Sequence, residues 1–339
     1  LFRERERERV KRLRHIYYDI TNLENLLNSW QEFLCGKRKR HDVAEFALNF
    51  MDNILELHHE LVDKTYCHGG YQAFKITDPK VRDIHKASVK DRLLHHAIYR
   101  ILYPFFDKKF IFDSYSCRID KGTHRAINRF RQFANIVSKN NHRTCWILKC
   151  DIRKFFANID HDILLQILAK RIGDKDVLWL LGQIITSFHS EDKPKVGLPL
   201  GNLTSQLFIN IYMNEFDQFV KRKLKVKYYI RYADDFMIIA DSADYLKSLI
   251  PRVRDYLLRE LKLELHPDKL FIKTLAGGVD FLGWIHFFDH RILRKSTKNR
   301  ALRKISKNLN NETYQSYLGL LEHGNARKIE RILDKIYNN

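Results

Sequence analysis

The stretch YYIRYADDFMIIADS, residues 228–242, sets two adjacent carboxylates between runs of apolar, strand-forming side chains. Runs of this kind on either side of a short break predict two strands around a tight turn. The turn, Ala233-Asp234-Asp235, contains no glycine, the usual hairpin residue. A chain that places two acids there uses the tip for more than reversing direction.

A second apolar stretch, CWILKCD (145–151), also ends in an acid, and Asp160 in NIDHDILLQILAKRI is placed to cap the helix that follows. Neither Asp151 nor the Asp234-Asp235 pair has an obvious basic neighbour in sequence to neutralise it. Acids that polarise turns account for any one of these positions, but not for their joint placement at the ends of apolar strands. Three carboxylates brought together repel one another unless a divalent cation holds them. Hard oxygen donors suit magnesium, which also binds substrate phosphates. Two such ions about 4 Å apart can activate an attacking hydroxyl and stabilise a leaving pyrophosphate. The expected chemistry is polymerase-type transfer with two Mg2+ ions, Mn2+ being the alternative.

Composition fits that expectation. Lys and Arg outnumber Asp and Glu by 61 to 41, a formal net charge of +20, which favours a polyanionic partner: nucleic acid first, a membrane surface second. No apolar run is long enough to span a bilayer, and 339 residues suffice for two or three packed subdomains of a soluble protein. The five cysteines are odd in number and lack zinc-type spacing, which argues against a disulfide frame or zinc module and for a reducing cytoplasm. His58-His59 and His95-His96 diverge on a helix, so neither pair is expected to bind metal. No signal peptide is visible, and Leu1 in place of Met leaves open an N-terminus further upstream.

Along the chain, residues 1–66 read as helical, opening with an Arg/Glu alternation (Glu4 with Arg7) that suits a solvated charged helix. Residues 66–92 read as a hairpin or small sheet, and 93–106 as a helix stopping at Pro104. Helices are expected over about 175–188, 203–223 and 243–263, with further hairpins over 271–293 around Gly277-Gly278. Beyond Arg294 the chain is helical and basic, with Lys295, Lys298, Arg300, Arg303, Lys304 and Lys307 in one short span.

These residues carry a family resemblance. YADD (232–235) resembles the signature of reverse transcriptases, and DIRKFF (151–156) resembles their first acidic motif. The resemblance implies an α+β right-hand polymerase with an antiparallel palm sheet backed by helices and a helical thumb. It implies that Asp151, Asp234 and Asp235 are the metal ligands and catalytic acids. Phe156 would lie under the sugar of the incoming nucleotide and exclude a 2′-hydroxyl; without its spacing from Asp151 it would read as an ordinary core aromatic. KVRDIHKASVKDRLLHHAI (80–98) resembles the fingers segment and SYSCRIDKGTHRA (114–126) the next block, making Lys80, Arg82, Arg92 and Arg118 candidates to clamp the triphosphate. Lys269 in HPDKLFIK is a candidate proton donor to pyrophosphate, and Phe281-Leu282-Gly283-Trp284 resembles the hairpin that grips the primer. The domains expected are an N-terminal helical segment (1–66), fingers (67–143), a palm (144–290) that contributes part of the fingers, and a thumb (291–339) holding duplex by its phosphates.

GLPLGNLTSQLFINIY (197–212) narrows the resemblance. Gly201 would let the backbone approach the nascent base pair. Group II intron enzymes carry Gln-Gly, three residues, then Ser-Pro in this block; here Leu200-Gly201 precedes Ser205-Gln206. That variant is similar to reverse transcriptases of diversity-generating retroelements, which copy a template-repeat RNA into cDNA mutated at adenines. The resemblance implies Leu200, Ser205 and Gln206 as a fidelity wall, with Gly201 and Gln206 near the nucleotide. It also implies template RNA, RNA/cDNA duplex and dNTPs as partners, a small basic accessory protein, and a bacterial cytoplasm. Competing readings are a stand-alone intron-like or phage-defence reverse transcriptase, and a non-catalytic RNA-binding scaffold. The three acids argue against the scaffold, and the spread of basic residues argues against a membrane-surface protein.

Overall fold

The computed structural model describes residues 12–77, 81–190, 193–307 and 310–338. The Arg/Glu alternation at the start and Lys80 lie outside the described residues. In chain order come α1 (Tyr17–Thr21), α2 (Leu23–Leu34), α3 (His41–Leu48), α4 (Phe50–Val62), β1 (Tyr71–Ile76), β2 (Arg82–Ala87), α5 (Val89–Asp107) and α6 (Thr123–Val137). There follow β3 (Trp146–Asp151), α7 (His161–Arg171), α8 (Lys175–Thr186), α9 (Leu203–Gln218), β4 (Tyr229–Tyr232), β5 (Asp235–Ala240) and α10 (Ala243–Leu261). Last are β6 (Phe271–Thr274), β7 (Val279–Phe281), β8 (Trp284–His286), β9 (Arg291–Leu293), α11 (Lys295–Lys307), α12 (Asn311–Leu321) and α13 (Arg327–Asn338). This mixture of helices and antiparallel sheets is the α+β architecture expected. Among the described residues no helix is long and apolar enough to cross a membrane.

The chain forms two compact units, neither continuous in sequence. One holds the residues up to Phe110, with Lys154–Asp217 and Leu258–Leu263; the other holds Ile111–Arg153, Gln218–Leu257 and the residues from Glu264 on.

The first unit is mainly helical. Leu26, Trp30 and Phe33 recur at helical spacing on the buried face of α2, and Trp30 stacks on Phe33 and Phe50. β1 and β2 form an antiparallel hairpin. α5 begins at Val89, earlier than the sequence suggests, because Ser88 caps it: Ser88 Oγ accepts from the Asp91 amide and donates to the Asp91 carboxylate. It also runs through Pro104 to Asp107. So close to the C-terminus, proline removes a single backbone donor before the helix ends.

The second unit is built on a four-stranded antiparallel sheet in the order β4-β5-β3-β6. Ile147, Ile230, Met237 and Ile239 join one core with Ala126, Ile127, Phe130 and Phe133, the apolar stripe of α6. The residues that alternate with them, Leu148, Cys150, Tyr229, Phe236 and Ile238, are buried as well. Burial on both faces explains why these strands read as unbroken apolar runs. A smaller sheet, β7-β8-β9, leads into α11, α12 and α13, where Tyr314 and Tyr337 stack at 4.1 Å.

Candidate active site

β4 and β5 pair with Tyr232 opposite Asp235, leaving Ala233-Asp234 as a two-residue turn. Ala233 adopts the positive φ, +55°, that glycine would ordinarily supply. For a residue with a Cβ this conformation costs on the order of 1 kcal/mol. Arg231 offsets it from below: fully buried, its guanidinium donates to the Ala233 carbonyl at 3.0 Å and to Ser114 Oγ at 3.0 Å. Across the sheet, the β3–β5 register sets Asp151 directly opposite Asp235. The Ile152 amide donates to the Asp234 carbonyl at 3.2 Å. The three acids therefore share one end of one sheet.

The acids do have basic neighbours, contrary to the sequence expectation. Lys149 Nζ lies 3.1 Å from Asp235 Oδ2 and donates to the Asp280 carbonyl at 2.8 Å. Lys269 Nζ donates to Asp151 Oδ1 at 2.8 Å. The signal for Lys149 was present: it stands two residues before Asp151 on the same strand, so period-two alternation puts both side chains on one face. Lys269 reaches Asp151 only through the fold, with the His266 amide bonded to the Asp151 carbonyl at 2.8 Å. Burial pushes the Asp235 carboxyl up to about 7; Lys149 opposes the rise, and the charges of Asp151 and Asp234 add to it. Its Oδ1 is buried with no hydrogen-bond partner. An orphaned carboxylate oxygen facing another carboxylate fits a hard divalent cation. Among the described residues no group of three or more His, Cys, Asp or Glu side chains is gathered as a ready metal cage; each lysine holds one oxygen of the facing pair.

The remaining candidates in this unit divide by environment. Arg118 donates to the carbonyls of Ile111 and Ser114 and braces its own loop. Phe281 and Trp284 pair across the β7–β8 turn and are fully buried, so only the Leu282-Gly283 turn, with φ of +50° and +90°, reaches the surface.

In the other unit, the loop 197–202 and the β1–β2 hairpin meet. The His85 amide donates to the Leu200 carbonyl at 3.1 Å, and Asn202 Nδ2 donates to the His85 carbonyl at 3.1 Å. Gly201 has φ +108°, and a Cβ there would stand 3.0 Å from Ile84 Cγ2. Phe156 joins this group through its carbonyl, which accepts from the Leu198 amide at 2.8 Å. Phe155 is the core aromatic and Phe156 stays half-exposed. Ser205 is buried and Gln206 half-buried in the first turn of α9. Arg82 is exposed on β2. Arg92, in the first turn of α5, pairs with Asp42, which also holds Lys86 of β2 at 2.7 Å.

The family model for reverse transcriptase (RNA-dependent DNA polymerase) matches residues 75–286, more than half of the chain. The chain belongs to the reverse transcriptase family. The matched span includes Asp151, Asp234, Asp235, Lys269 and the wall loop. This reverse transcriptase is similar to Protein YkfC of Escherichia coli (strain K12), at 26% identity over 263 residues, covering 67% of this chain and 67% of that protein. It is similar to the group II intron-encoded protein LtrA of Lactococcus lactis subsp. cremoris, at 23% identity, covering 70% of this chain and 49% of LtrA. A putative COX1/OXI3 intron 2 protein of Saccharomyces cerevisiae is 21% identical, covering 64% of this chain and 30% of that protein. The chain thus spans about half of LtrA and under a third of the yeast protein.

Proposed function

We propose that this reverse transcriptase is an RNA-directed DNA polymerase that makes adenine-mutagenised cDNA from the template-repeat RNA of a diversity-generating retroelement. The observation that carries the polymerase reading is the register that sets Asp151 opposite Asp235, beside Asp234. Asp151, Asp234 and Asp235 are the residues that would hold two Mg2+ or Mn2+ ions. When bound, these supply activation of the primer hydroxyl and charge compensation for the triphosphate. The primer 3′ hydroxyl gives up its proton to solvent water as its oxygen bonds to the α-phosphorus and the bond to pyrophosphate breaks. Lys269 is the proposed donor of a proton to that leaving group. Phe156 excludes a 2′-hydroxyl, Arg82 reaches the triphosphate, and the Leu282-Gly283 turn contacts the primer. The basic face of α11 holds the duplex by its phosphates.

The mutagenic role rests on the wall: Leu200-Gly201 and Ser205-Gln206 stand where intron enzymes carry Gln-Gly and Ser-Pro. A small basic accessory protein and a bacterial cytoplasm belong to the same reading. The similarity to LtrA favours a second one, an intron-like enzyme without directed mutagenesis. The experiment is cDNA synthesis by the purified protein with Mg2+ and dNTPs on RNA carrying its neighbouring repeat, with and without the neighbouring basic protein, followed by sequencing. Product lost in Asp234→Asn and substituted mainly opposite adenines supports the proposal. Faithful product selects the intron-like reading. No product on any primer leaves an RNA-binding scaffold.

A further inference from the structure

The segment Lys221-Arg222-Lys223-Leu224-Lys225-Val226-Lys227 carries five cations in seven residues. Such runs are commonly solvated faces, but this one is built into the fold. A turn of π-helix, Phe219–Lys223, opens it, and Phe219 stacks on Tyr256 of α10 at 4.0 Å. Leu224 and Val226 are buried while Arg222, Lys223, Lys225 and Lys227 are exposed, with Lys225 at φ +55° between the two buried side chains. Among the described residues no acidic side chain is within ion-pair distance of any of the five. Asp113, whose charge is felt at Lys221, is engaged elsewhere, bonding Arg129 Nε at 2.8 Å. Burial, with help from Arg129, lowers the Lys221 pKa against the pull of Asp113.

Aromatic surface is interleaved with this charge. Lys227 Nζ lies 5.2 Å from the centre of the half-buried Tyr228 ring, which packs edge-on against Phe133, and Arg129 lies over Phe133 at 4.4 Å. The segment leads into β4 at Tyr229, whereas the carboxylates stand beyond Tyr232. At about 3.3 Å per residue, the strand itself puts Tyr229 roughly 10 Å from Tyr232, and Lys227 lies two residues beyond it. β3 starts at this same end, two strands from β4 and so about 10 Å across the sheet, and the exposed Arg143 stands three residues before its first residue, Trp146.

We propose that this end of the sheet, opposite the carboxylates, is a second RNA-binding surface. It takes an unpaired stretch of RNA by its phosphates along 221–227, with Tyr228 available for base contact. The inference rests on the reading of the protein as an RNA-templated polymerase, and extends it to RNA that is not being copied. An anchor at this point would hold the RNA while the template is advanced past the carboxylates.

The test is fluorescence anisotropy on the whole protein with two probes. One is a short primer–template duplex with a two-nucleotide overhang; the other is the same duplex with a 20-nucleotide oligouridine extension on the template. The wild-type protein should bind the extended probe more tightly. Arg222→Gln/Lys223→Gln/Lys225→Gln should lose about tenfold in affinity for that probe at 0.1 M salt, with a salt slope shallower by about 2, as three lost phosphate contacts require. Its affinity for the short probe should be unchanged, and Lys223→Arg/Lys225→Arg should bind both probes as wild type does. Equal wild-type affinity for the two probes, or an equal loss on both in the triple variant, overturns the proposal. Absence of nucleotide addition on either probe would instead count against the polymerase reading, and leaves the anisotropy comparison readable.

Discussion

Lys149 shows what a single residue does for this site. A lysine in a central strand is costly to bury unless its charge is met, and here one ammonium serves both the Asp235 carboxylate and the Asp280 carbonyl. It ties the acidic turn to the strand that carries the Leu282-Gly283 turn. Lys149→Met should strand Asp235 beside two other acids, destabilise the protein by about 3 kcal/mol, and reduce single-nucleotide incorporation by at least tenfold. Lys149→Arg, which keeps the charge but not the reach, should recover most of the melting temperature and less of the rate. Melting curves alongside single-turnover extension would check both; incorporation at the wild-type rate in Lys149→Met would remove Lys149 from the site. The acids were legible in the sequence because each ends an apolar run. Arg231 was not, since a lone arginine in a strand gives no sign that it will be fully buried beneath the turn.

At the level of elements, the hairpin 228–242 was legible down to its tip, because the apolar runs and the polar break between them carry the whole instruction. Connections between distant segments were not. The β1–β2 hairpin meets the loop 197–202 through the backbone bond from the His85 amide to the Leu200 carbonyl, which no side-chain pattern encodes. Two glycines mark such contacts. Gly201→Ala would place a side chain at φ +108° and 3.0 Å from Ile84, a strain of about 1–2 kcal/mol. The expected result is a small loss of stability and a larger loss of dNTP affinity, read as a raised KM in primer extension. Gly324 is tighter: a Cβ there would run into the buried Trp284 ring at Cζ3. Gly324→Ala should cost about 1–3 kcal/mol by overpacking and loosen the α11–α13 helices. Hydrogen exchange that speeds up selectively in those helices is the readout; unchanged exchange would show that Trp284 can move aside.

For the molecule as a whole, the excess of 20 positive charges was plain in the sequence, but the two units were not. Each is assembled from segments far apart in the chain, and no composition shift marks the crossings. The response to acid is likewise a property of the fold. Burial holds His95 at about 3, aided by the charge of His68 beside it, and burial holds His96 and His286 at about 4. In the unfolded chain each would titrate near 6.5. A histidine whose pKa is lowered by folding binds its proton more readily in the unfolded state, so stability falls as pH drops below about 6.5 and continues to fall until the folded group titrates near 3 to 4. Well above 6.5 these groups contribute no slope. By pH 5.5 each removes about 1 kcal/mol. Asp42, Asp91, Asp160 and Asp174, each held below the ordinary carboxylate range, against the effect of burial, by hydrogen bonds or cationic neighbours, add their loss only below about 4. Asp235 works the other way: folding raises its carboxyl to about 7, so it adds stability as pH falls through that range. Three histidines outweigh one carboxyl, so melting temperature should be nearly flat from pH 8 to 7 and drop by a few degrees between 6.5 and 5.5, before these four aspartates titrate. His286→Phe and His95→Gln should each reduce that drop, and a wild-type curve flat down to pH 5 would mean that these rings are not held neutral.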